Sequence, residues 1–141
     1  MNFLAHLYLS KDNKNILIGN FISDAIKGKK YKKYPKEIQA GILLHREIDT
    51  FTDKHPIVRK SMHRLNKRYR HYDGVIIDLL YDHFLAKNWE RYSEIPLSLY
   101  AKNVYNFLNS SYNCKLFPFG LGPDEDLTID LKAILIVSSV I

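Results

Sequence analysis

Hydrophobic residues recur at helical spacing along most of this chain. Within residues 14–27 the apolar positions are 16, 17, 18, 21, 22, 25 and 26. The pattern stops at Gly28, and glycine is the residue most often found just past a helix end. The spacing therefore predicts a helix over 14–27, followed by a lysine-rich loop over 29–34. Residues 2–9 fit a helix or a strand.

The same pattern, with proline and turn residues at its boundaries, predicts further helices. They cover about residues 35–51, 56–70 and 75–89, and another opens at Pro96. Thr52 or Asp53 is a suitable N-cap for the helix over 56–70. Helices with short connections and no convincing strand predict an all-α fold. We expect a single helical domain over 1–112 and a divergent tail over 113–141, as a truncated gene product would have. The tail has a Phe/Pro/Gly-rich start and an apolar end.

Ionisable residues on apolar faces change this picture. Ile38, Ile42, His45 and Asp49 follow one another at i, i+4, i+7 and i+11, which is one helix face. The two isoleucines should face the core and draw His45 and Asp49 inward. A hydrogen-bonded buried pair and a metal site both fit this spacing.

A second group lies in the most apolar helix. Asp78, Asp82 and His83 interrupt residues that are hydrophobic nearly all round, which predicts a central helix. Burying an ionised carboxylate costs on the order of several kcal/mol in lost solvation, unless a partner offsets that penalty. Two histidine–carboxylate groups on helices that pack together are most simply explained by a divalent metal ion, and hence by hydrolytic chemistry. The first candidates as ligands are His45, Asp49 and Asp82, with Asp24 next. An alternative for one residue of the second group is a helix cap or a salt bridge with one of the many basic residues.

The positive charge is concentrated in one predicted helix. The chain has a formal net charge of +6 and a pI near 9.3, which favours an anionic partner. Residues 59–70 contain six Arg or Lys residues and no acid. Because so one-sided a face repels itself, we predict a docking surface for an acidic partner at Arg59, Arg64, Lys67 and Arg68.

Several other classes of protein are disfavoured by the sequence. The single cysteine, Cys114, excludes an intrachain disulfide and fits a reducing compartment. No segment has the length of a membrane span, and the first residues lack the pattern of a signal peptide, so a cytoplasmic protein is expected. No P-loop, dinucleotide fingerprint or serine nucleophile elbow is present.

Several motifs follow one another along residues 1 to about 108. They are Met1–Leu7, Gly19–Asp24, Gly41–Asp49, Thr52–Asp53, Pro56–Arg59 and Asp82–Trp89. Together these motifs resemble one known family, the acyl carrier protein phosphodiesterases. The resemblance also gives weight to His6 and Asp24, which pattern alone would assign to the core and to a polar helix face.

The resemblance implies an activity and a cofactor. Such enzymes hydrolyse holo-acyl carrier protein to apo-acyl carrier protein and 4′-phosphopantetheine, with a divalent metal, manganese being preferred and Mg²⁺ or Fe²⁺ the alternatives. It also implies a distant relation to the helical HD phosphohydrolases, although Asp82-His83 reverses the His-Asp order that names them. Asp24, His83 and His6 are then the expected catalytic residues, with either histidine as the acid that protonates the departing serine oxygen.

Three other functions remain open at this point. The chain could be an HD-like phosphohydrolase of nucleotides or other small phosphoesters, or a non-catalytic paralogue that only binds the acidic carrier. Nucleic-acid binding is permitted by the basic loop with Tyr31 and Tyr34, but no recognised nucleic-acid-binding motif supports it.

Overall fold

The computed structural model describes residues 3–113, with side chains through residue 111. The predicted tail over 113–141 therefore lies almost wholly outside the described residues. Six α-helices and four short 3₁₀ turns make up the described part, which contains no strand, so the all-α prediction is confirmed there. The α-helices are α1 (Phe3–Leu9), α2 (Lys14–Ile22), α3 (Lys36–Lys54), α4 (Pro56–Tyr69), α5 (Asp73–Lys87) and α6 (Leu97–Asn113).

The helix positions largely follow the predicted ones, with differences at the ends. Residues 3–9 of the segment that fitted a helix or a strand form helix α1. Helix α2 ends at Ile22, earlier than predicted, and a 3₁₀ turn over Ser23–Ala25 follows. The segment predicted as a lysine-rich loop is a 3₁₀ helix over Gly28–Lys33, and it begins at a glycine with φ of 58°.

The predicted N-cap of α4 is wrong. His55, and neither Thr52 nor Asp53, occupies the cap position, and its side chain accepts a hydrogen bond from the backbone N–H of Ile57. Thr52 and Asp53 lie inside α3, because that helix continues to Lys54.

Chain contacts divide the protein into two compact units, Met1–Asp82 and His83–Ile141, with the boundary inside α5. In the first unit, α3 packs mainly along α2. The two helices touch at Gly19 and Gly41, where an added Cβ would collide with the carbonyl oxygens of Ile38 and Ile16 respectively. Glycine at both positions permits this close approach, which sets Asn20 of α2 beside the buried face of α3.

The second unit has its own small apolar core. Ala101, Val104 and Leu108 form a buried stripe on α6. Trp89 is buried as well, its ring lies 4.8 Å from that of Tyr100, and its indole N–H donates to the carbonyl oxygen of Ile95 at 2.7 Å.

The prediction that α5 is central and covered all round is wrong. Ile77 and Asp82 are buried, but Val75, Leu79 and Leu80 have 55%, 60% and 39% of their surfaces exposed. The helix therefore has one covered face and one face open to solvent. None of the described helices is long and apolar enough to cross a membrane.

Candidate metal centre

Three helices of the first unit bring their polar residues to one point. His6 comes from α1, Asn20 from α2, and His45 and Asp49 from α3, while Asp24 lies on the 3₁₀ turn after α2. The imidazoles of His6 and His45 stack with their centroids 4.1 Å apart. Both histidines and Asn20 are buried, and the two carboxylates reach solvent on one side, with 45% of the Asp49 side chain and 56% of that of Asp24 exposed.

Asn20 determines how both histidines are oriented. Its side-chain Nδ2 donates to the carbonyl oxygen of His6 at 2.8 Å and to Ser10 Oγ at 2.9 Å. Its Oδ1 must therefore be the atom that contacts His6 Nδ1 and His45 Nδ1, each at 3.0 Å. A carbonyl oxygen only accepts, so both Nδ1 atoms carry a proton and both Nε2 atoms point away from Asn20.

The Nε2 atoms face the two carboxylates. His6 Nε2 lies 3.0 Å from Asp49 Oδ1, and His45 Nε2 lies 3.0 Å from Asp24 Oδ1 and 3.1 Å from Asp49 Oδ2. Asp49 thus bridges the two rings with its two oxygens. The hydrogen bond between His45 and Asp49, one turn apart, is the pair that the spacing on α3 predicted.

The electrostatics of the pair follow from these contacts. Burial lowers the pKa of His45, but hydrogen bonds to Asp24 and Asp49 and the charges of both carboxylates outweigh it and raise that pKa to about 9. Burial opposes ionisation of Asp49, yet its hydrogen bonds with His45 and His6 hold its pKa well below the usual range. Without a metal, His45 is therefore an imidazolium held by the ionised carboxylate of Asp49.

The donor set suits a divalent cation. One ligand atom each from His6, His45 and Asp49 lies within 4.8 Å of the others. Histidines that bind a metal usually donate their other ring N–H to an oxygen of the protein, which is what Asn20 Oδ1 receives here. Imidazole nitrogens with a carboxylate fit Mn²⁺, Fe²⁺ or Zn²⁺, and His45 must lose its Nε2 proton before it can bind.

The charged state of His45 predicts a pH dependence for the metal-free protein. Since the folded-state pKa of about 9 lies above the ordinary 6.5, the stabilisation is fully present below pH 6.5 and is lost as pH rises through 9. We expect the free energy of unfolding in urea to fall by on the order of 3 kcal/mol between pH 6.5 and pH 9.5, measured with EDTA present. A His45→Gln variant is the control and should show little of this fall. An equal fall in both proteins would contradict the assignment.

Asp82 lies outside the group of three and has a different contact. Its Oδ2 accepts from the backbone N–H of Leu4 at 3.0 Å and its Oδ1 from that of Ala5 at 3.2 Å. These are free N–H groups of the first turn of α1, so Asp82 anchors the start of the helix that carries His6. Burial raises the pKa of Asp82, and the two N–H groups oppose that rise.

The other predicted residues take varied positions. His6 contacts Asp49 and Asp24 contacts His45, and their predicted catalytic roles stay predictions. His83 is exposed, with its ring 5.8 Å from that of Phe84. The predicted docking residues are all exposed on α4: Arg59, Arg64, Lys67 and Arg68.

Sequence reasoning missed the role of Asn20 and Ser10. Both are buried, with exposed fractions of 0% and 1%. A usable signal existed for Asn20, because it is an amide inside the apolar run Leu17–Ile22, where it needs internal partners.

Comparison with known proteins identifies relatives of this chain. A family profile described as acyl carrier protein phosphodiesterase matches residues 1–118. A Yersinia pestis protein of that name is 41% identical over 91 residues, which are 64% of this chain and 47% of the relative. The corresponding Photorhabdus laumondii protein is 38% identical over 91 residues, 64% of this chain and 46% of the relative. No solved structure gave a significant match.

The match includes every residue of the site, from His6 to Asp49, together with Asp82. The chain spans about half the length of the curated relatives that it matches. The family is nevertheless shown by the profile, which covers most of the residues present. The chain belongs to the acyl carrier protein phosphodiesterase family.

Proposed function

We propose that this chain is a metal-dependent phosphodiesterase of the cytoplasm. It hydrolyses holo-acyl carrier protein to apo-acyl carrier protein and 4′-phosphopantetheine, with Mn²⁺ as the preferred metal. The observation that carries the proposal is the convergence of His6, His45 and Asp49 in a chain whose relatives are named for this reaction. A helical fold with paired histidines and aspartates also supports HD-like chemistry.

The proposed ligands are His6 Nε2, His45 Nε2 and a carboxylate oxygen of Asp49. A bound divalent cation supplies Lewis acidity at the phosphoryl oxygen and lowers the pKa of a coordinated water. His6 is better suited to hold the cation than to act as the acid, because its Nε2 faces the shared carboxylate.

Asp24 is the proposed base. Its only described side-chain contact is His45 Nε2, and more than half of its side chain is exposed. When His45 Nε2 becomes a ligand, the Asp24 carboxylate is left at the rim, where it can accept a proton from the attacking water. Protonation of the serine oxygen by His83 remains a proposal from the sequence.

The carrier would be held by the exposed face of α4. Arg59, Arg64, Lys67 and Arg68 project from a helix without an acidic residue, and complementary charge steers and orients an acidic partner. Arg59 also lines an open groove of about 550 Å³ that includes Asp53, one helical turn after Asp49. The groove offers room for an extended arm beside the site.

Mass spectrometry of holo-acyl carrier protein incubated with this chain and Mn²⁺ tests the proposal. We expect loss of the phosphopantetheine arm, no loss when EDTA is present, and no loss with an Asp49→Asn variant. An unchanged carrier mass, with chain shown by circular dichroism to be folded, would reject the activity. Turnover of a nucleotide panel without turnover of the carrier would favour a small-phosphoester hydrolase instead.

A further inference from the structure

A second positive surface lies at the other end of α3 from α4. Between Asp24 and Glu37 the chain contains no acidic residue. All of the lysines in this interval are exposed. They are Lys27, Lys29, Lys30, Lys32, Lys33 and Lys36. We call residues 27–36 the lysine segment.

Helix α3 holds the backbone of the lysine segment in place. Arg46 donates from Nη2 to the carbonyl oxygen of Ile26 at 2.8 Å and from Nη1 to that of Gly28 at 2.9 Å. Gln39 donates from Nε2 to the carbonyl oxygen of Tyr34 at 2.7 Å. Hydrogen bonds from Arg46 and Gln39 of α3 thus hold the backbone near both ends of the lysine segment, although the lysines repel one another.

The lysine segment starts close to the candidate metal centre. Lys27 is three residues after Asp24, whose carboxylate contacts His45, so their Cα atoms lie within about 11 Å by chain length alone. Arg46, which fastens the segment, directly follows His45 in α3. The lysine segment therefore begins next to the exposed carboxylate of the site and is held by the helix that carries His45.

The aromatic residues of the segment decide what kind of anion it suits. The Arg46 guanidinium lies over the Tyr31 ring, 5.2 Å from its centroid, and Tyr34 is 9% exposed. Arg46 thus covers one face of Tyr31, and Tyr34 is buried, whereas single-stranded nucleic acid needs exposed rings on which successive bases stack. Exposed lysines without such a row of exposed rings favour an acidic protein.

We propose that the lysine segment is a second docking surface for the acidic carrier protein, with Arg46 as its positioning residue. The inference rests on the proposed function, because it assigns another part of the same substrate's binding surface. Contacts from α4 and from the lysine segment would hold the carrier at two places flanking the site. Such binding weakens steeply with salt.

Binding of dye-labelled apo-acyl carrier protein, followed by fluorescence anisotropy, tests the surface independently of turnover. A Lys30→Gln/Lys33→Gln variant should raise the Kd about fivefold and make its salt dependence shallower. The matched control Lys11→Gln/Lys102→Gln removes the same charge from exposed positions elsewhere and should leave the Kd nearly unchanged.

Three outcomes would overturn the proposal. Equal effects of both double variants would show that only net charge matters, and no effect of either would show that the segment does not bind the carrier. If the Lys30→Gln/Lys33→Gln variant loses binding to a 20-base-pair DNA and keeps its carrier binding, the surface is a nucleic-acid site instead. If the wild-type chain binds the carrier but never cleaves it, the proposed function fails while this surface stands.

The role of Arg46 has its own readout. In an Arg46→Gln variant we expect trypsin to cleave within residues 27–33 about tenfold faster, because the segment is no longer fastened to α3. The Kd for the carrier should rise as in the lysine variant while the Mn²⁺ affinity stays the same. Unchanged cleavage and unchanged Kd would remove Arg46 from the proposal.

Discussion

Replacing Asp49 with asparagine should lower the affinity for Mn²⁺ by at least about a hundredfold and abolish turnover of the carrier. The reason is that Asp49 contacts both imidazoles, at 3.0 and 3.1 Å, and is the one carboxylate grouped with them. The amide keeps the shape of the side chain but loses the charge that attracts a divalent cation. Isothermal titration calorimetry with Mn²⁺ gives the affinity, and mass spectrometry of the carrier gives the turnover.

Asp82→Asn is the matched control, since it makes the same chemical change in a carboxylate that lies outside the group of three. Here we expect the free energy of unfolding to fall by about 1–3 kcal/mol, because the amide NH₂ faces a backbone N–H of Leu4 or Ala5. Affinity of the folded protein for Mn²⁺ should change little. If Asp82→Asn instead removes metal binding and leaves the stability unchanged, Asp82 is a ligand, as the sequence predicted.

The sequence located one half of this site because that half is local. His45 and Asp49 lie one turn apart on α3, and the isoleucines before them identify which face of the helix is buried. Helical periodicity carries such information directly. The contact between the two residues, at 3.1 Å, is one of the two arrangements that this spacing fits.

The contacts of His6 and Asp82 are not local, and periodicity cannot predict them. Asp82 binds backbone N–H groups 77 and 78 residues away, and His6 meets Asp49 across 43 residues. A histidine among apolar residues has the same sequence pattern whether it is a core residue or a ligand. Only the family resemblance distinguished His6 before the structure was known.

The exposed face of α5 shows another limit of the pattern. Val75, Leu79 and Leu80 are as hydrophobic as core residues, which predicts a covered helix, and yet they face solvent. The hydrophobicity of a helix face predicts that burial of that face is favourable. It does not predict whether another element of the chain packs against the face. The helix and its approximate ends were predictable, whereas its surroundings were not.

Asn20→Leu should weaken Mn²⁺ binding by about ten- to a hundredfold, although Asn20 does not touch the metal in the proposed arrangement. Leucine is close in size to asparagine but cannot accept the Nδ1 protons of His6 and His45. Each ring then loses the acceptor that holds its proton on Nδ1, and it can present either nitrogen to the cation. Calorimetry measures the loss of affinity. Long-range ¹H–¹⁵N spectra of the Zn²⁺-loaded protein identify the metal-bound nitrogen of each ring.

Two further variants separate this role from simple packing. In Asn20→Asp a carboxylate oxygen can still accept from both Nδ1 atoms, so the Nε2-bound pattern and most of the affinity should remain. Ser10→Ala removes the hydroxyl that accepts from Asn20 Nδ2 and leaves the bond from Nδ2 to the His6 carbonyl oxygen. It should cost stability while the metal-bound nitrogens stay the same.

The three variants together distinguish orientation from stability. If Asn20 matters only because it fills a buried space, Asn20→Leu should retain the Nε2-bound pattern, and Asn20→Asp should be the more damaging change, since it buries a charge where the native residue has 0% exposure. If Asn20 sets the tautomers, Asn20→Leu should be the more damaging change and Asn20→Asp the milder one. We expect this second result, because the side-chain carbonyl oxygen of Asn20 accepts from both histidines and its amide nitrogen is held by two further hydrogen bonds.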